Sequence, residues 1–155
     1  MPADGAYIDT SVLGAYYCPE PLSAIAQESL RAVANPIISS LCEVEFSSLI
    51  ARKRRDKELK TAEAKAILAL FATHLAEGFF RRVALSSEHC RAARELLDSR
   101  DLSLRTLDAL HLGIVSVEGV DLVTADRQFA AAAVKLGRTV IRVVKQDHDR
   151  ATKSF

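Results

Sequence analysis

Hydrophobic positions along the chain fall into two alternating patterns. Ala6-Tyr7-Ile8 is a short apolar run that reads as a strand, and Pro36-Ile37-Ile38-Ser39, Phe80 to Leu85, Asp121-Leu122-Val123-Thr124 and Thr139 to Val144 read as further strands. Between them the apolar residues recur at helical spacing. Thr10 and Ser11 can open a helix after the first run. Leu22 to Val33, Ser40 to Arg55, Thr61 to Glu77, Ser86 to Ser99, Thr106 to Val117 and Asp126 to Leu136 extend the helical pattern, the last stopping at Gly137. Thr106 to Val117 is apolar nearly all round and is expected to be buried.

Strands that alternate with helices predict an α/β fold, in which helices flank a mostly parallel central sheet in three layers. Two consecutive helices between the second and third strands read as an insertion with room for a separate role. There is no internal repeat and no linker able to divide the chain, so residues 1–155 are expected to form a single domain. Its core is expected at about 6–144, with a polar, loose tail over 145–155.

Composition changes this picture little. The chain is 49% hydrophobic and 26% charged, which suits a packed core and excludes low-complexity disorder. The net charge of +1 gives no global field that would attract nucleic acid, so a local patch is needed. Cys18, Cys42 and Cys90 are odd in number and far apart, which argues against a disulfide frame or zinc knuckle and favours a reducing cytoplasm. The stretch Met1 to Ala6 lacks the apolar core of a signal peptide, and no run reaches the roughly 20 residues that span a bilayer.

Four acids stand at strand ends or on apolar helix faces. Asp9 follows the first strand directly, the position at which open α/β sheets bind ligands. The plainer alternative is a cap on the next helix. Glu45 lies in the apolar arc of its helix with Phe46, where a carboxylate must be paired or bound to a cation. A buried salt bridge, with arginine as the natural partner, is the structural alternative. Asp108 opens an apolar helix, where the helix dipole alone also favours an acid. Asp126 follows Val123-Thr124-Ala125 and suits both a site and an N-cap. Thr10, Ser11 and Thr124 are polar neighbours able to orient a carboxylate or water. Glu43 is explained by the S-x-x-E capping box that begins at Ser40.

Acids gathered together raise one another's pKa or demand a cation, and oxygen donors select Mg²⁺ or Mn²⁺ over zinc. The histidines show no ligand spacing. His111, three residues after Asp108, reads as a packed side chain. Arg52, Lys53, Arg54 and Arg55 make the one dense basic patch, either a solvated helix end or a phosphate-binding surface that Arg81, Arg82 and Arg105 would extend. No phosphate-cradling glycine loop and no G-x-S-x-G elbow occurs.

Ile8-Asp9-Thr10-Ser11, Ser39-Ser40 followed by Glu45, Leu104 to Leu112 and Val123-Thr124-Ala125-Asp126 together resemble the PIN domain, and most nearly the VapC-type toxins of bacterial toxin–antitoxin pairs. The likeness spans residue 6 to about 144, and Leu104-Arg105-Thr106-Leu107-Asp108-Ala109-Leu110-His111 is its most specific piece. It implies a ribonuclease with Mg²⁺ or Mn²⁺ held mainly by Asp9 and Asp108. Glu45 would complete the shell or orient water, and Asp126 would hold a second metal or a water. It also implies an RNA substrate, a homodimer and a cognate antitoxin whose tail enters the acidic groove. Asp126 departs from the pattern, being followed by Arg127 with no second acid close by. Two rival readings are an aspartyl phosphomonoesterase, against which Ser11 stands where D-x-D needs its second acid, and a module that binds RNA or protein without cutting.

Overall fold

The protein is described by a computed structural model over residues 4–99 and 101–144. The expectation of a loose tail over 145–155 lies outside the described residues, as does the start of the chain at Met1.

Five strands form one parallel sheet: β1 (Ala6–Ile8), β2 (Pro36–Ser39), β3 (Arg81–Val83), β4 (Asp121–Thr124) and β5 (Val140–Arg142), in the order β3-β2-β1-β4-β5. Each parallel step needs a crossover, and the helices supply it. Helices α1 (Thr10–Tyr17) and α2 (Ser23–Arg31) join β1 to β2, and α3 (Ser40–Arg55) and α4 (Thr61–Ala76) join β2 to β3. Helices α5 (Ser87–Asp98) and α6 (Thr106–Glu118) return the chain to β4, and α7 (Arg127–Lys135) leads to β5. Paired helices thus fill three of the four crossovers, so α3 and α4 are part of the regular winding and not an insertion.

Tyr7 and Ile8 of β1, Ile37 and Ile38 of β2 and Leu122 and Val123 of β4 are fully buried. These near-continuous apolar runs are what a sheet covered on both faces requires. The two edge strands are shorter than the segments that read as strands, and both are largely exposed. β3 keeps Arg81–Val83 of the run Phe80 to Leu85, and β5 keeps Val140–Arg142 of Thr139 to Val144. An edge strand has a pairing partner on one side only, so its ends fall outside the ladder.

From β1 the chain winds outward to β2 and β3, then returns to the other side of β1 to form β4 and β5. β1 is therefore the strand at which the winding reverses. The crevice beyond its carboxyl end is the general ligand position of such sheets. The β1–β4 ladder continues one step past β1, with the Asp9 amide donating to the Val123 carbonyl at 3.0 Å. That bond sets Asp9 beside the end of β4.

Two glycines of α6 have definite jobs. A Cβ at Gly113 would lie 2.7 Å from the His89 carbonyl oxygen, so its absence lets α5 and α6 pack backbone to backbone. Gly119 ends the helix at φ +65°, a left-handed conformation open to glycine at little cost.

Candidate active site

Asp9 occupies the N-cap position of α1, yet its side chain makes no capping bond. The capping alternative is thereby removed. Its carboxylate turns instead across the ends of β1 and β4: Oδ2 accepts the Ser11 hydroxyl at 2.7 Å and the Thr124 hydroxyl at 2.9 Å. Both hydroxyls are anchored in turn. Ser11 Oγ accepts the Ala125 amide at 3.1 Å, and Thr124 Oγ1 accepts the Asp126 amide at 3.0 Å. Burial raises the Asp9 pKa above the ordinary carboxyl value. The positive charge of His111 and the two hydroxyls oppose that rise without cancelling it, and the neighbouring Glu45 charge adds to it. The site therefore holds an anion at a cost that a cation would relieve.

Glu45 lies beside it on α3, half-buried. Its Oε1 accepts the Thr10 hydroxyl at 3.0 Å and pairs with His111 Nε2. The salt-bridge alternative is thus realised at Oε1, with His111 in place of an arginine. Burial works to raise the Glu45 pKa, but the hydrogen bond and charge of His111, with the Thr10 hydroxyl, bring it below its ordinary value.

Asp9 and Glu45 share one design. In each, two donors converge on a single oxygen, and the other oxygen, Oδ1 or Oε2, has no hydrogen bond among the described residues. The only buried side-chain polar atom without a partner there is Arg138 Nε, so both free oxygens face accessible space. Metal-ligating carboxylates are held in this manner, one atom oriented by the protein and the other presented.

The other two acids are placed differently. Asp126 is the N-cap of α7: its Oδ1 accepts the Phe129 amide at 3.0 Å. It reaches Asp9 only through the shared hydroxyl of Thr124. Asp108 stands in the first turn of α6, half-buried, and its carboxylate makes no hydrogen bond or ion pair among the described residues. No three Asp, Glu, His or Cys side chains among the described residues form a group able to hold a metal ion. Asp9 and Glu45 are brought together. Asp126 is linked to them through Thr124, and Asp108 stands one helical turn before the His111 that touches Glu45. The donor set fits a hard divalent cation in its chemistry, with free carboxylate oxygens throughout, but does not form a closed cage.

The sequence reading of His111 as merely packed is corrected. The ring is buried, and it bridges Glu45 to the Tyr7 hydroxyl, which lies 2.6 Å from Nδ1. Burial lowers the His111 pKa, but the Cys42 sulfur and the Glu45 carboxylate outweigh it and raise it to about 10. Tyr7 itself contacts Ser39 Oγ at 2.8 Å and accepts from Cys42 Sγ at 3.1 Å. Its pKa is pushed far above the phenol range, by burial first and then by Cys42, so the hydroxyl stays neutral. Tyr7, Ser39 and Cys42 sit in apolar runs that give no hint of a polar role. The three-residue step from Asp108 was the one available signal for His111.

Glu43 has a structural job, but not the one its motif suggests. The N-cap of α3 is Ser39, which accepts the Cys42 amide, while Ser40 Oγ accepts the Leu85 amide at 2.9 Å. Glu43 accepts from Arg82 with both oxygens, from Nη2 at 2.6 Å and from Nε at 3.2 Å. Arg82 is thereby withdrawn from the basic surface. In the patch itself Lys53 pairs with Glu58 at 3.0 Å, while Arg52, Arg54 and Arg55 are exposed. Arg52 also lines a cleft of ≈ 260 Å³ with Glu45, Ser48, Leu49 and Leu107. The basic end of α3 and the acidic site are therefore joined along one helix face. A larger cavity of ≈ 1220 Å³ lies between α2 and the strands, and none of the four acids lines it.

The PIN domain model matches residues 6–135. The chain belongs to the PIN domain family. Solved structures of similar shape include VapC20 of Mycobacterium tuberculosis, a sarcin-ricin-loop-cleaving toxin. That chain is 19% identical at a TM-score of 0.62, covering 82% of this chain and 94% of its own. A toxin–antitoxin complex from Klebsiella pneumoniae is 17% identical at TM-score 0.63, covering 91% and 99%. VapBC2 of Rickettsia felis, bound to promoter DNA, is 14% identical at TM-score 0.65, covering 88% and 97%. No curated protein matches the chain in sequence. The fold of this PIN domain is thus the expected one. No described helix is long and apolar enough to cross a membrane.

Proposed function

We propose that this PIN domain is a Mg²⁺-dependent endoribonuclease and the toxin of a VapBC-type pair. The observation that carries the reading is the matched state of Asp9 and Glu45, each with one oxygen tied and one presented, at the strand where the winding reverses. Asp9 and Asp108 would hold the metal, with Glu45 and Asp126 Oδ2 in support; Mn²⁺ would serve equally. When bound, the metal neutralises phosphate charge and acidifies water. The remaining work belongs to the chain. Glu45 Oε2 completes the metal's shell and so fixes where the attacking water can stand. Ser11 and Thr124 keep Asp9 aimed, and Arg52, Arg54 and Arg55 draw the RNA backbone along α3. The water oxygen bonds to phosphorus in line, the opposite bond from phosphorus to the ribose oxygen breaks, and the proton that the water gives up is balanced by one taken up by the leaving oxygen.

The partners in this reading are RNA, a second copy of the chain and a cognate antitoxin. The support for an antitoxin is that the similar structures are of toxins and toxin–antitoxin complexes. The test is direct: purified protein is incubated with an RNA pool in Mg²⁺, Mn²⁺ or EDTA. Cleavage that needs the metal and falls by orders of magnitude in Asp9→Asn and Asp108→Asn is expected. RNA binding without cleavage in either metal would overturn the enzymatic reading. Coexpression with the product of an adjacent short frame should silence the cleavage.

A further inference from the structure

Glu45 projects from α3 beside an exposed neighbour, Val44, and no side chain of its own helix holds its carboxylate turned toward Asp9. It is gripped from outside the helix, by Thr10 of α1 and His111 of α6, both on Oε1. His111 cannot drift, because its other nitrogen meets Tyr7, and the Tyr7 hydroxyl is itself enclosed by Ser39 and Cys42. An ionised carboxylate is an acceptor only, so the His111 Nε2 proton must lie on the Glu45 side. The chain of contacts therefore has a direction: a buried tyrosine orients a histidine, and the histidine orients one carboxylate oxygen.

We infer that Tyr7 and His111 are positioning residues that hold Glu45 with Oε2 presented to a divalent cation. The inference rests on the metal-dependent reading above and adds to it an element outside the acidic quartet. His111 touches Glu45 and not the reacting atoms, so its effect must pass through Glu45. Thr10 alone cannot fix the group, since a single hydroxyl leaves the carboxylate free to rotate about that bond.

The test measures Mn²⁺ binding by titration calorimetry, without RNA, with melting curves for every variant. Wild type should bind. His111→Leu should bind about 10- to 100-fold more weakly, the usual effect of removing a group that orients a ligand. His111→Gln, whose amide can still donate to Oε1, should recover most of the loss, and Tyr7→Phe should fall between. In the double variant His111→Leu with Glu45→Gln, binding should be no weaker than in Glu45→Gln alone, because both changes act on one group. Wild-type affinity in His111→Leu, or losses that multiply in the double variant, would overturn the inference. If His111→Leu does not fold, His111→Gln and Tyr7→Phe decide it: equal losses in both, or none in Tyr7→Phe, would overturn it. Failure of the underlying reading looks different: wild type and Asp9→Asn would bind Mn²⁺ alike, or neither would bind.

Discussion

Asp9 and Thr124 lie 115 residues apart in the chain and are joined by a hydroxyl–carboxylate bond of 2.9 Å. The same hydroxyl accepts the Asp126 amide. Thr124 thus couples the acid after β1 to the helix start after β4, and the coupling can be broken with a nearly isosteric change. Thr124→Val is expected to lower stability by about 1–3 kcal/mol, the range for a buried partner left unpaired. It should also reduce cleavage about 10- to 100-fold through the loosened Asp9. Urea unfolding and initial rates on one RNA substrate check both. An unaltered rate would show that Asp9 needs no such support.

Burial raises the Asp9 pKa, so its negative charge is unfavourable in the folded protein without a cation. The sign follows from that. The penalty is absent while the carboxyl is protonated and sets in as pH rises through its folded pKa. Asp9→Asn should therefore melt at or above the wild-type temperature in EDTA. Added Mg²⁺ should raise the melting temperature of wild type only, by a ligand term of about 2.7 kcal/mol at a hundredfold excess over the dissociation constant. A variant that loses stability in EDTA would contradict a cation site built at this acid.

Asp126 offers a clean separation of structural and ligand roles. Asn caps helices as well as Asp does, whereas Ala costs about 0.5–2 kcal/mol. Asp126→Ala should be destabilised by that amount and Asp126→Asn should not. If Asp126 also supports the metal, Asp126→Asn will bind Mn²⁺ more weakly at full stability. Equal metal affinity in Asp126→Asn would confine this residue to its cap on α7.

The pair of His111 and Glu45 gives stability a defined pH window. The His111 pKa is raised to about 10, so its contribution is complete below the unfolded value of 6.5 and is lost as pH rises toward about 10. Glu45 is lowered from 4.5, so its contribution is complete above that value and is lost as pH falls through the folded pKa. Urea midpoints measured in EDTA should be highest between these limits, and His111→Gln should flatten the alkaline decline. An alkaline limb that persists unchanged in His111→Gln would assign it to other groups.

At the far end of α3, the Arg54→Glu, Arg55→Glu double variant should weaken RNA binding and reduce the slope of log affinity against log salt by about 0.7 for each lost contact to a single strand. Lys53, already paired with Glu58, serves as the comparison: Lys53→Gln should change the slope least. An identical slope in all three proteins would remove this surface from RNA binding.

The alternation of apolar runs and helical periods was legible in the sequence because it records burial on two sheet faces, a property of each segment alone. The parallel sheet and the ends at which Asp9 and Asp126 stand followed from it, whereas the crossover of α3 and α4 read as an insertion. What a side chain does at such an end was not legible. Asp9 and Asp126 are both acids after strands, yet Asp126 caps its helix and Asp9 does not, because Asp9 alone meets a hydroxyl from across the fold, that of Thr124, beside the local hydroxyl of Ser11. Glu43 fits a local capping motif but is claimed by Arg82, 39 residues away. His111 is marked in the sequence only by its three-residue step from Asp108, because its partners Tyr7 and Glu45 lie 104 and 66 residues distant. Local pattern determines which segments are buried. Which polar atoms meet depends on strand order and crossover geometry, and those exist only once the sheet has assembled.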